Sequence, residues 1–209
     1  MQDPHRLAAY VVTAAIAGRE HLDVARSAIA GGATTIQLRA PELPPRERVR
    51  VASDLATACR EAGVLAIVND DVDATLASGA DGVHVGQDAD AAAIRARIGA
   101  DRILGVSVGS PAEAAIAASA GADYLGVTVW ATPTKPEARP VGLDGVAAVV
   151  AATDLPVVGI GGIDASNAPL VLAAGAAGVA VISAVAAAPD PVAATRAIVD
   201  AVMGQEAPA

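Results

Sequence analysis

The sequence predicts a single (β/α)8 barrel of the TIM class, and two observations carry that expectation. Short β-branched or apolar runs alternate eight times with longer Ala-rich segments whose apolar residues recur every three or four positions, the pattern of βα units. Glycines punctuate the joins, and eight such units use the 209 residues with nothing left for a second core.

Strands are expected over 8–13, 35–38, 64–68, 82–85, 103–107, 124–129, 156–160 and 178–182, with helices at 23–30, 44–61, 72–78, 91–98, 111–119, 143–152, 167–174 and 191–203. Ser110-Pro111 and Asp190-Pro191 each put a side-chain acceptor at a helix N-cap and proline at the first helical position. Gly31-Gly32, Gly79, Gly121 and Gly175 stand where helices end, so each is expected to form a short turn into the next parallel strand. An open doubly wound sheet is the competing architecture; eight units without remainder favour closure. The domain is expected to run from 1 to 209, with 204–209 frayed.

Hydrophobic residues make up 54% of the chain, mostly Ala and Val, with two Tyr, one Trp and no Phe, so the interior must mesh small side chains closely. A net charge of -9 opposes nonspecific binding to nucleic acid or anionic membrane, and an anionic substrate would need a local positive pocket. The single cysteine, Cys59, excludes an internal disulfide and reads as a buried, inert thiol. No basic-then-apolar leader opens the sequence, and no apolar run reaches the ~18 residues of a membrane span. The longest apolar tract, 175–188, reads as a buried strand and its exit loop. A cytoplasmic protein is expected, its oligomeric state left open and a homo-oligomer compatible with everything above.

In this architecture chemistry gathers at the C-terminal ends of the strands. Those ends are polar here: Gln37 and Arg39 after the second run, Asn69-Asp70-Asp71 after the third, His84, Gln87 and Asp88 after the fourth, and Ser107 after the fifth. Thr132-Pro133-Thr134-Lys135 follows the sixth, Gly159-Ile160-Gly161-Gly162 the seventh, and Ile182-Ser183 the eighth. A hard cation such as Mg²⁺ takes one or two carboxylates plus substrate phosphate oxygens, and Asp70 is the candidate ligand, while Asp71 reads as the cap of the next helix. Arg39 forks onto phosphate oxygens, and Lys135 with two hydroxyls on one proline-stiffened loop makes a phosphate-grade donor set. Gly162 and its neighbours let backbone N–H groups approach a second phosphate, a cradle completed by Ile182-Ser183. His84 reads equally as structural or catalytic, and His5 and His21 as incidental.

Taken in order, Gln37-Leu38-Arg39, Val68-Asn69-Asp70-Asp71, His84-Val85-Gly86-Gln87, Gly105-Val106-Ser107, Thr132-Pro133-Thr134-Lys135, Gly159-Ile160-Gly161-Gly162-Ile163 and Val181-Ile182-Ser183-Ala184 resemble thiamine phosphate synthases across roughly 8–203. The resemblance implies an Mg²⁺-dependent (β/α)8 transferase that joins an aminopyrimidine methyl diphosphate to a thiazole phosphate and releases diphosphate. It implies that Gln37, Arg39, Asn69, Ser107 and Lys135 hold the pyrimidine diphosphate, with Leu38 among the binding positions, and that Asp70 binds the metal. Thr132, Thr134, Gly162, Ile182 and Ser183 would hold the thiazole phosphate, and Arg39, Ser107 and Lys135 would act on the departing diphosphate.

Three positions depart from that pattern. Pro41 stands where the family usually has a lysine, which removes a charge-assisted phosphate contact worth roughly 1.5–3 kcal/mol. Ala89 stands where a second metal aspartate is usual, leaving Asp88 or Asp90 to serve, and Gly109 replaces a frequent histidine. A thiazole tautomerase is the related alternative, though that branch tends to lose the Asn-Asp pair and keep a histidine near 109. A noncatalytic barrel that binds thiazole phosphate is the alternative from another class.

Overall fold

The computed structural model describes residues 4–16, 18–131 and 139–204. Eight parallel strands close on themselves in sequence order: β1 (Ala9–Val12), β2 (Thr35–Leu38), β3 (Leu65–Asn69), β4 (Gly82–Val85), β5 (Ile103–Ser107), β6 (Tyr124–Thr128), β7 (Val157–Ile160) and β8 (Gly178–Val181). Closure comes from β1 lying parallel to β8, with Val11 beside Val181, which excludes the open doubly wound sheet. Helices follow each strand: α1 (His21–Ala30), α2 (Pro45–Ala62), α3 (Val72–Ser78), α4 (Ala91–Ile98), α5 (Pro111–Ser119), α6 (Gly142–Val150) and α7 (Ala168–Ala173). The expected loop after β8 instead contains a helical turn, α8 (Ser183–Ala186), before α9 (Pro191–Met203). Four residues cannot show a helical period, which is why that turn is invisible in an Ala-rich tract.

The start signals act as their chemistry requires. Ser110 Oγ accepts the Glu113 N–H and Asp190 Oδ1 the Ala193 N–H. At Gly79, φ is +71°, the left-handed conformation that ends α3 and turns the chain into β4.

Strand alternation divides the apolar residues between two cores. Outward-facing residues such as Ile36, Leu38, Val68, Val83 and Leu125 pack against Ala- and Val-lined helices in one continuous layer. Inside the barrel a smaller cluster of Leu7, Tyr10, Val12, Ile67, Tyr124, Val158 and Ala180 fills the base. Cys59 lies in the outer layer, and burial, with the charge of Asp81 adding to it, pushes its thiol up to about 12, so it is inert. No described helix is long and apolar enough to cross a membrane.

Candidate active site

At the C-terminal ends of the strands the barrel opens into a cavity of about 980 Å³, bordered by Gln37, Arg39, Asn69, Ser107, Gly162, Ile182 and Ser183 among others. Alternation decides which side chains reach it: Gln37 at the end of β2 turns inward, while Leu38 beside it is buried in the outer layer. The Leu38 side chain therefore faces the helices and not the cavity. Thr132, Thr134 and Lys135 lie outside the described residues.

Below the mouth a run of polar groups crosses the interior. The Gln37 amide nitrogen donates to the Tyr10 hydroxyl at 2.8 Å, and the Tyr10 and Tyr124 hydroxyls share a bond of 2.9 Å. His84 bonds Tyr124 through Nδ1 and Ser107 Oγ through Nε2, both at 2.9 Å. Sequence reasoning left His84 ambiguous and passed over both tyrosines. Their inward register on β1 and β6 was the signal available, in a chain with only two.

Arg39 opens the loop between β2 and α2, and buried groups hold that loop from both sides. His21, read as incidental, is 3% exposed and bonds Thr13 Oγ1 at 2.9 Å and Glu42 Oε1 at 2.6 Å. Thr13 Oγ1 also accepts the Arg39 N–H at 3.4 Å. Partial burial disfavours the Glu42 carboxylate, yet the bond from His21 and the nearby charges outweigh it and hold its pKa below the usual value. On the other side Arg48 donates to the carbonyls of Ala40 and Leu43 and to Asp71.

Asp71 caps α3 by accepting the Ala74 N–H at 2.8 Å, as expected. Asp70 is instead exposed, with φ of +60°, the one non-glycine left-handed residue among those described. Asn69 donates to its carboxylate at 2.6 Å. Asp70 borders a second recess with Arg48, Asp71 and Arg97, and this recess shares Arg39 and Asn69 with the main cavity. Asp88 borders the main cavity, while Asp90 is engaged in capping α4 through the Ala93 N–H and Ala89 packs against the outer core. Among the described residues no three His, Cys, Asp or Glu side chains gather around a point. Mg²⁺ needs no such cage, since substrate phosphates and water fill most of its shell; Asp70 borders the second recess and Asp88 the main cavity.

Across the mouth, Gly161 and Gly162 have φ of +96° and +65°. A Cβ at Gly161 would lie 2.6 Å from the Trp130 carbonyl oxygen, so backbone alone fits there. Asn167 ties this turn by donating to the Gly162 carbonyl at 2.9 Å and accepting the Asp164 N–H. Hydrogen bonds from the Ser166 hydroxyl and N–H keep Asp164 below the usual carboxylate pKa. Ile182 and Ser183 close this side of the cavity.

Residues 9–185 match the family described as thiamine monophosphate synthase. The chain is 51% identical over 182 residues to a thiamine-phosphate synthase of Moorella thermoacetica, covering 86% of this chain and 87% of that one. It is 50% identical over 194 residues to the thiamine-phosphate synthase of Roseiflexus sp. (strain RS-1), covering 90% and 82%. Among solved structures, the thiamine phosphate pyrophosphorylase from Pyrococcus furiosus superposes with a TM-score of 0.90 at 39% identity, covering 96% of this chain and 98% of that one.

Proposed function

The chain belongs to the thiamine monophosphate synthase family, and from that premise we propose that it is the transferase joining an aminopyrimidine methyl diphosphate to a thiazole phosphate. The C–O bond to diphosphate breaks with the electron pair leaving on oxygen, and the thiazole nitrogen lone pair forms the new C–N bond. No protein nucleophile and no net proton transfer by a side chain is needed.

One observation supports this reading above the others: Gln37, Arg39, Asn69 and Ser107 border the same cavity as Gly162, Ile182 and Ser183 on its far side. In the proposal the first set holds the pyrimidine diphosphate and the second the thiazole phosphate, which brings the two reacting centres together. Arg39 neutralises charge as diphosphate departs and Ser107 donates to its oxygens. Lys135, Thr132 and Thr134 join these sets on sequence grounds. Mg²⁺, when bound, would neutralise the leaving group's charge, with Asp70 and Asp88 as its protein ligands. The partners are small phosphorylated molecules. We propose a cytoplasmic location on the sequence reading, and the charge of -9 disfavours nonspecific attraction to nucleic acid or anionic membrane.

Incubating purified protein with both substrates and Mg²⁺ tests the proposal. Thiamine phosphate accumulates with one diphosphate released per turnover if it holds. Tight thiazole phosphate binding without product, or isomerisation of the thiazole alone, would replace it with the binder or the tautomerase. Asn69-Asp70 and Gly109 speak against the latter.

A further inference from the structure

The only two tyrosines of the chain meet inside the barrel, each at most 2% exposed. Branched aliphatic side chains normally fill that space, and a buried hydroxyl is costly there unless it is bonded. Neighbouring strands make room for this polar run. At Gly105 a Cβ would collide with the Tyr124 ring, and at Gly126 it would come within 2.9 Å of His84 Cε1. Two strands thus forgo a side chain where the rings of Tyr124 and His84 sit.

We propose that Tyr10 and Tyr124 are positioning residues, which act through His84 to present the Ser107 hydroxyl to substrate as a hydrogen-bond donor and to couple it to Gln37. The direction of the run follows from proton counting. Gln37 offers Tyr10 an N–H, so Tyr10 accepts there and gives its own proton to Tyr124. With His84 assigned as the neutral ring, Tyr124 gives its proton to Nδ1, which leaves the ring hydrogen on Nε2 to bond Ser107 Oγ. Ser107, having accepted from His84, directs its hydroxyl proton to the cavity it borders. The reverse direction would aim the Tyr10 proton at the Gln37 NH2 group, which is itself a donor. Burial raises both tyrosines above their ordinary pKa, so their protons stay in place.

The two ends of the run therefore present opposite polarity. The Gln37 amide, with nitrogen engaged by Tyr10, keeps its oxygen as an acceptor, and Ser107 keeps a donor. An aminopyrimidine diphosphate matches that pair, with an N–H donor on its ring and anionic oxygens on its tail. This assignment rests on the synthase reading for the ligand's identity but not for the bonds.

Tyr10→Phe and Tyr124→Phe remove the hydroxyls and keep the rings. Titrating inorganic diphosphate with Mg²⁺ into each variant by calorimetry is expected to show binding about tenfold weaker than wild type in Tyr124→Phe. The kcat/KM for pyrimidine diphosphate falls in parallel, while KM for thiazole phosphate stays within about twofold. Combining Tyr124→Phe with Ser107→Ala adds no further loss of diphosphate affinity, because both act on one hydroxyl. Nitrogen-15 shifts of His84 report Nε2–H in wild type and lose that preference in Tyr124→Phe. Unchanged diphosphate affinity in both Phe variants, or strictly additive losses in the double variant, overturns the proposal even if unfolding midpoints drop. A wild-type protein that makes no thiamine phosphate sinks the synthase reading instead, and the diphosphate titrations still decide the role of the tyrosines.

Discussion

The Arg48 guanidinium lies 2.7 Å from the Asp71 carboxylate, and through that contact the loop bearing Arg39 is fastened to the turn bearing Asp70. Both side chains are largely covered, at 22% and 19% exposure, so solvent screens the pair only in part. Arg48→Ala is expected to cost about 1.5–3 kcal/mol in urea unfolding. It should also weaken Mg²⁺-diphosphate binding by loosening both segments. Full stability in the variant would show that the clasp contributes nothing.

The same clasp gives a pH dependence. Partial burial raises the Asp71 pKa, but the Ala74 N–H and the bond and charge of Arg48 outweigh it, so the folded value lies below the ordinary one. A depressed carboxylate contributes stability that is fully present above its unfolded value, about 4, and is lost as pH falls through the folded value. Unfolding midpoints between about pH 6 and 2.5 should therefore decline less steeply at the acid end in Asp71→Asn than in wild type. Parallel acid limbs would contradict the assignment.

Turnover is expected to separate the two adjacent aspartates. Asp70→Ala and Arg39→Ala are expected to cut turnover by at least about tenfold more than Asp71→Ala. The Asp71 variant mainly loses stability, because it removes both the α3 cap, worth about 1 kcal/mol, and the contact with Arg48. Equal activities in the three variants would strip Asp70 and Arg39 of their roles.

Asp88 and Asp90 part in the same way. Asp88→Asn should raise the Mg²⁺ concentration needed for half-maximal turnover several-fold, because the carboxylate borders the cavity. Asp90→Asn should leave that concentration alone, since Asp90 is spent on the Ala93 N–H and Asn also caps. The opposite ranking would move the metal site.

Gly162→Ala places a Cβ on backbone with φ of +65° and 3.2 Å from Trp130 Cβ. A stability loss of about 1–2 kcal/mol is expected from the left-handed conformation. KM for thiazole phosphate should rise while binding of inorganic diphosphate is kept. A matched loss on both ligands would mean that the turn supports the whole mouth and not one phosphate.

The barrel was legible because period carries it: eight apolar runs and their glycine joins lie within one or two residues of the observed strands. Caps such as Ser110 and Asp190 were legible because they act locally. The border of the cavity was readable where residues stand at or just past a strand end, as for Asn69, Ser107 and Ser183. Motif membership does not show the pleat, which sends Gln37 to the cavity and the neighbouring Leu38 side chain to the outer core. His21, Arg48, Tyr10 and Tyr124 were missed because their partners, such as Glu42, Asp71 and His84, are set by barrel closure and loop packing. No local spacing encodes those meetings.

A crystal structure with Mg²⁺ and diphosphate bound puts all of these residues to work at once. Diphosphate oxygens within hydrogen-bond reach of Arg39, Asn69 and Ser107, with one Mg²⁺ bridging them to Asp70 and Asp88, is the expected result. Diphosphate seated away from Ser107, or Asp70 and Asp88 turned to unrelated ions, would contradict the shared anionic site.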